Sequence, residues 1–343
     1  MKKKIYFWAC DIDQHRGEGI LGQQFIDLAI KNNNLESEVE TFNKKFFFRK
    51  KKFYYINKKK ITKLNFFSNY FYPFYGIIKC WINYFKGNKV HYVNYLPLWN
   101  FLIFLLLPSR TILGPITGGI YGNKSNFFQF KIRKYIFPIF YRISLFLLKD
   151  KKLLFSTDLL KKFVKEKKYK KVIYNFSLIN LREIPKQKKK YDLIIYFRKH
   201  SNKYNEFQSE LLKYLSKKNI KIVVIGDHLK INRIINKNNV SRKKALRIIG
   251  RSKFALNSPE NPLSLFVTDS ISNRTFIFYN KKVFSSVLKK IIFSLPINYE
   301  IDKKHFLFIY NKIKKFKKNK LNFKQIINLK KNLIIKLDDY FVG

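Results

Sequence analysis

From Tyr191 to Asn280 short apolar runs alternate with amphipathic segments, and this alternation constrains the fold more than any other feature. "YDLIIYFRK" reads as a strand with a buried middle. "NEFQSELLKYLSKKN" sets Phe207, Leu211, Leu212 and Leu215 on one helical face. "IKIVVIGD" is a strand, "SRKKALRIIGRS" a helix with Ser241 as its N-cap, and "KFALNS" a short strand. "PLSLFVTDSISN" is a helix, and "TFIFYN" the next strand. Strands that alternate with helices imply a mostly parallel sheet built from right-handed strand–helix–strand units.

The first half is less regular. "KIYFWAC" is a buried strand, followed by a loop, "DIDQHRGEG", and a helix with Ile20, Leu21, Phe25, Leu28 and Ala29 at helical spacing. "KVHYVNY", "RTILGPITGG" and "KLLFSTD" are further strands, and "FFFRKKKFYYINKKK" is a strand or two with a charged edge. "NLREIPKQKKKYD" has a proline, a lysine run and no apolar period, so it reads as a linker. Two domains are expected, 1–180 and 181–318, with a final helix in 319–343 placed to pack back on the first.

The 343 residues carry 72 Lys and Arg against 21 Asp and Glu, a formal charge of +51. Such a surface suits nucleic acid, anionic lipid, or AT-rich codons, which favour the abundant Lys, Asn, Ile, Phe and Tyr. Whatever its origin, the charge gathers anions. Two cysteines, Cys10 and Cys80, form neither a disulfide framework nor a zinc pattern, and fit a reducing cytosol. The apolar run after the basic start ends at Asp11, short of a signal peptide. Residues 90–109 hold no charged side chain, but His91, Asn94, Pro97, Asn100 and Pro108 interrupt them. They read as a strand and a buried helix, "PLWNFLIFLLL", with a membrane-embedded segment as the alternative. "YIFPIFYRISLFLL" (135–148) reads as an amphipathic helix suited to lie on lipid.

In open parallel sheets ligands meet the carboxyl ends of strands. "RGEG" (16–19) precedes a helix, where Gly17 and Gly19 would let amides approach an anion; an ordinary turn is the alternative. "GPITGG" offers Thr117, Gly118 and Gly119 for close ligand approach or a tight turn. Arg198 and Lys199 end "DLIIYF" and suit a diphosphate, Arg as a fork and Lys as a point charge, unless they are solvated surface charges. In "SPENPLSLFVTD" the helix is expected to begin near Pro262 or Leu263, with free amides around Ser264 and Leu265. Ser258, Glu260 and Asn261 precede it. Asp269, about two turns in, would accept ribose hydroxyls or stand as a surface charge. The five histidines fit no metal pattern, and no GxSxG or Walker sequence occurs.

These segments together resemble bacterial glycosyltransferases of the GT-B type, in particular those of surface polysaccharide or lipopolysaccharide assembly. "RGEGILGQQFI" looks like the glycine-rich loop of the acceptor half, and "GPITGG" is similar to a segment of that domain. "DLIIYFRK" with "IVVIGD" resembles the opening of the nucleotide-sugar half, and "SPENPLSLFVTDSI" the E-x7-E region. One departure stands out: eight residues, not seven, separate Glu260 from Asp269. Aligning Pro262 puts Asn261 in place of the first glutamate, so Glu260 and Asn261 share that role.

The resemblance implies an α/β fold of two Rossmann-like domains whose parallel sheets face across a cleft. It implies sugar transfer from a nucleotide-diphosphate sugar, the co-substrate, to a lipid-linked or glycan acceptor, without cofactor or metal. Glu18, His15 and Asp13 are the candidate bases. A cytoplasmic enzyme at the inner face of an anionic membrane is the expected setting. A nucleic-acid-binding protein and a catalytically degenerate scaffold of the same fold are the alternatives.

Overall fold

The computed structural model describes residues 4–9, 17–33, 36–41, 45–49, 52–56, 68–93, 96–117, 127–199, 206–258, 261–283, 285–291, 293–316 and 324–341. The chain opens with β1 (Ile5–Ala9), α1 (Gly17–Asn33), β2 (Ser37–Glu40), β3 (Lys45–Arg49), β4 (Lys52–Ile56), α2 (Ser68–Phe85) and β5 (Lys89–Val93). It continues through β6 (Leu96–Pro97), α3 (Phe101–Leu106), β7 (Ile112–Leu113), β8 (Ile116–Thr117), α4 (Phe127–Lys131), α5 (Phe137–Leu147), β9 (Lys152–Leu154) and β10 (Lys171–Ile173). Then come β11 (Tyr191–Phe197), α6 (Glu206–Ser216), β12 (Ile222–Gly226), β13 (Ile234–Asn238), α7 (Arg242–Gly250), β14 (Ser252–Leu256), α8 (Leu265–Ser272) and β15 (Phe276–Asn280). The last elements are α9 (Ser286–Lys290), β16 (Ser294–Ile297), α10 (Lys303–Lys314) and α11 (Lys324–Phe341).

The strands build two main sheets, ordered β4-β3-β2-β1-β5-β7 and β13-β12-β11-β14-β15-β16. The second is parallel throughout, with Leu193 beside Ile222 and Phe254. The first is parallel from β2 to β7, while β3 and β4 add an antiparallel hairpin at its edge. The aromatic, lysine-flanked tract thus resolves into two strands. All five residues of β1 are buried, as a strand covered on both faces requires.

One face of the first sheet carries α2, α3 and α5, packed on Tyr6, Trp8 and Tyr92. Gly76 lets α2 come close, since a Cβ there would lie 2.0 Å from Trp8 Nε1. The other face buries Phe25 of α1 and Leu337, Tyr340 and Phe341 of α11. The last helix is held there by bonds from Tyr340 Oη to the Leu113 carbonyl (2.8 Å) and Lys89 Nζ to the Phe341 carbonyl (2.8 Å). The same core runs into the second half through the buried turn Phe176–Asn180 and α8. The following segment is anchored rather than loose. Leu181 is buried, the Arg182 N–H donates to Ser272 Oγ (3.2 Å), and Lys189 Nζ donates to the Gly250 carbonyl (3.0 Å).

Two expectations need correction. The buried helix read from Pro97 to Leu107 is only α3, and Leu102, Leu105 and Leu106 are exposed. Leu96–Pro97 pairs instead with Ile116–Thr117, which pulls the start of that segment into extended backbone. The strand read in "RTILGPITGG" is two short pieces in different sheets, parted at Gly114 and Pro115. Among the described residues no helix is long and apolar enough to cross a membrane.

Candidate functional site

The carboxyl ends of β11, β12, β14, β15 and β16 lie along one edge of the second sheet, because every pairing is parallel. At the first two ends the backbone is tight. Gly226 has φ +102°, and a Cβ there would stand 2.3 Å from the Phe197 carbonyl oxygen. That turn brings the Asp227 N–H to the Phe197 carbonyl (3.0 Å) and the Asp227 carboxylate to the Lys199 N–H (2.6 Å). The backbone carrying Arg198 and Lys199 is therefore pinned, while both residues remain exposed at the strand end.

Beyond β14, Asn257 is buried and organises the loop. Its carbonyl accepts from Gln208 Nε2 (3.1 Å) and the Tyr299 hydroxyl, and its Nδ2 donates to the Asn261 carbonyl (3.3 Å). Its Oδ1 is buried without a partner among the described residues. Ser258 follows, half-buried, and Glu260 lies outside the described residues. Asn261 Oδ1 accepts the Leu263 N–H (2.9 Å), and Ser264 Oγ accepts the Val267 N–H (3.4 Å).

Helix α8 thus starts at Leu265 rather than near Pro262. The asparagine closes a turn over Pro262 and Leu263, and the serine takes the N-cap. The amides of Leu265 and Phe266 precede the first intrahelical donor, the Thr268 N–H that bonds the Ser264 carbonyl (3.0 Å), and stand at the positive end of the helix. The Phe266 ring stacks on Tyr196 at 6.2 Å, so this end of α8 adjoins the end of β11.

Asp269 sits a little over one turn into α8, not two, and is only 4% exposed, so it is no surface charge. Its Oδ1 meets Arg242 Nη2 at 3.2 Å and Arg182 Nη2 at 3.6 Å. Burial pushes its carboxyl above the usual range, and the two guanidinium groups pull it back. Neither arginine stood out in the sequence. Arg242 directly follows the Ser241 N-cap of α7, which was a usable signal, whereas Arg182 is hidden in a segment that reads as linker.

In the first half, Gly17 and Gly19 belong to the first turn of α1 rather than to a loop before it. Thr117 is buried at the end of β8, its carbonyl accepting the Leu98 N–H (2.9 Å). Asp13, His15, Gly118, Gly119 and the side chain of Glu18 lie outside the described residues. A contact that the sequence did not signal joins the halves. Buried Asp158, just past β9, accepts the Ser286 N–H (2.7 Å) and its hydroxyl at the start of α9. Among the described residues no three His, Cys, Asp or Glu side chains group as metal ligands.

No protein-family model matches the chain, and no curated protein matches it. Solved structures do. The pneumococcal O-GlcNAc transferase GtfA, in complex with UDP and GlcNAc, is similar at 8% identity over 99% of this chain and 98% of that one, with a TM-score of 0.58. A glycosyltransferase from Rickettsia africae is similar at 13% identity over 99% and 94%, with a TM-score of 0.53. The UDP-GlcNAc 2-epimerase of Methanocaldococcus jannaschii, in complex with UDP-GlcNAc and UDP, is similar at 9% identity over 96% and 100%, with a TM-score of 0.50. At such identities the likeness carries the fold alone. That fold is α/β with parallel sheets, the GT-B arrangement.

Proposed function

We propose that the chain transfers a sugar from a nucleotide-diphosphate sugar to an acceptor hydroxyl. The observation that carries this reading is that exposed Arg198 and Lys199 follow Tyr196 at the end of β11, and that Tyr196 stacks on Phe266 at the capped start of α8. When the glycosidic bond to the donor breaks, negative charge accumulates on the departing diphosphate. Arg198 would hold it as a fork, Lys199 as a point charge, and the Leu265 and Phe266 amides through the helix terminus. These groups supply the positive charge, and the reading invokes no metal.

Asp269 would accept ribose hydroxyls, with Arg242 and Arg182 holding its carboxylate in place. Ser258, Glu260 and Asn261 would border the donor sugar. The acceptor half would contribute Gly17, Gly19, Thr117, Gly118 and Gly119, and the base would come from Glu18, His15 or Asp13. We take the acceptor to be a lipid-linked or polysaccharide hydroxyl, as in surface-polysaccharide assembly.

Thermal stabilisation by a panel of UDP-, GDP-, ADP- and CMP-sugars tests donor binding, since a ligand that binds only the folded state raises its stability. Product analysis then separates transfer from epimerisation. Absence of stabilisation by every donor, with tight and steeply salt-dependent RNA binding, would overturn the proposal in favour of a nucleic-acid-binding protein.

A further inference from the structure

Helix α2 is apolar on both sides. Ile77 and Cys80 face the sheet and are buried, whereas Phe71, Tyr75, Ile78, Ile82 and Phe85 recur every three or four residues on the outward side and are exposed. Water gives such an outward stripe no reason to be apolar. The neighbouring helices repeat the pattern. Leu102, Leu105 and Leu106 of α3 and Ile139, Ile143 and Phe146 of α5 are also exposed.

The three helices form one layer. Trp81 Nε1 of α2 donates to the Leu106 carbonyl of α3 (2.8 Å), and Phe101 of α3 meets Phe140 of α5 with ring centres 5.3 Å apart. Of the 22 large exposed apolar residues among those described, 16 lie between Phe71 and Phe146, so the exposure is concentrated in this layer and the segments flanking it.

Charge follows the same boundary. From Thr41 to Lys149 the sequence has no Asp or Glu and 20 Lys and Arg. Exposed Lys86, Arg110, Lys134, Arg142 and Lys149 belong to this layer or its flanks.

We propose that this layer is a docking surface for an anionic lipid bilayer, with α2, α3 and α5 lying in the plane of the headgroups. Helices of this kind insert an apolar side while basic residues meet lipid phosphates. None of the described helices can cross a bilayer, so the attachment is to one leaflet. A second copy of the chain is a poor occupant, because two acid-free basic faces would meet with no opposite charge. Nucleic acid satisfies the charge but offers nothing to cover exposed isoleucine and leucine. The inference rests on exposure, packing and charge, and stands apart from the sugar-transfer reading.

The test is flotation of the full chain with phosphatidylcholine vesicles, with and without phosphatidylglycerol. The variant Phe85→Ser/Ile139→Ser/Phe146→Ser is compared with Leu307→Ser/Phe308→Ser, an exposed apolar pair in α10, outside the layer. Wild type and the α10 variant should float with the anionic vesicles, while the triple variant loses about tenfold in bound fraction with an unchanged melting curve. Quenching of wild-type tryptophan fluorescence by brominated lipid gives a reading that needs no variant. The proposal is overturned if wild type floats with neither vesicle and brominated lipid does not quench it. It is equally overturned if the triple variant floats as wild type does, or if wild type is a dimer that the triple variant dissolves. Donor-induced stabilisation, measured on the same proteins, reports separately on the sugar-transfer reading.

Discussion

Helices α2 and α6 occupy similar places, each covering one face of a central strand, yet they meet solvent differently. Helix α6 buries Phe207, Leu211, Leu212 and Leu215 and pairs Glu210 with Lys213 at 2.7 Å in water. Helix α2 buries Ile77 and Cys80 inward and sends a second, longer apolar stripe outward. The shared architecture dictates only the inward stripe. The outward one is free of folding constraint, so its composition reports on what that side of the molecule meets.

The sharpest test of this division concerns the sheet edge. Arg198→Ala should lower turnover by about 10²–10³-fold with an unchanged melting temperature, as for loss of a donor to a developing charge; near-normal transfer would remove the diphosphate assignment. Within the second half, Leu211→Ala should cost about 3 kcal/mol in denaturant unfolding, because Leu211 is wholly enclosed. Asp269→Asn should cost about 2 kcal/mol, since it leaves two partly exposed guanidinium groups facing a neutral amide. Its donor affinity should fall as well, measured by titration of the sugar nucleotide.

The first half carries its own pH signature. His91 is fully buried beside Phe7, with both ring nitrogens unpartnered among the described residues. Burial, and secondarily Lys89, pushes its pKa down to about 3 from 6.5. Between those values the unfolded chain takes up a proton that the folded one refuses. Stability is therefore full above pH 6.5 and falls toward pH 3, by about 1.4 kcal/mol per pH unit from this group. His91→Leu should flatten that limb in urea titrations at stepped pH. The smallest effect belongs to the outward stripe: Phe146→Ser should change unfolding free energy by less than about 0.5 kcal/mol. A large loss there would mean that the stripe is part of the fold after all.

The second half was readable because its periods are clean. "DLIIYF", "IVVIG" and "FIFYN" are continuous apolar strands, and α6 and α7 have a single apolar side each. The first half obscures its own pattern for the reason just described. Helix α2 contains Pro73 and carries apolar residues on its exposed side as well as its buried one, so its sequence does not mark which side is the core. Strand β2, "SEVE", is too polar to signal itself, although Ser37, Val39 and Glu40 are all buried. At the site, Arg198, Lys199 and Asp269 could be picked out as charges after strands or in a short apolar helix. The partnership of Asp269 with Arg182 and Arg242 could not, because it joins residues 87 and 27 positions apart through tertiary packing alone.

The final helix has a mechanical consequence. The chain passes from the first half to the second after Leu181, and returns between Phe316 and Lys324 to dock α11 against Phe25. Two bodies joined by a single tether can reorient about any axis. Joined by two, they rotate mainly about the line through both crossings, as a door turns on two pins. Residues near that line move least. Arg182 lies one residue past the first crossing, so its hold on Asp269 sits where a rotation about that line would displace it least, and the Asp158–Ser286 contact adds a further tie between the halves.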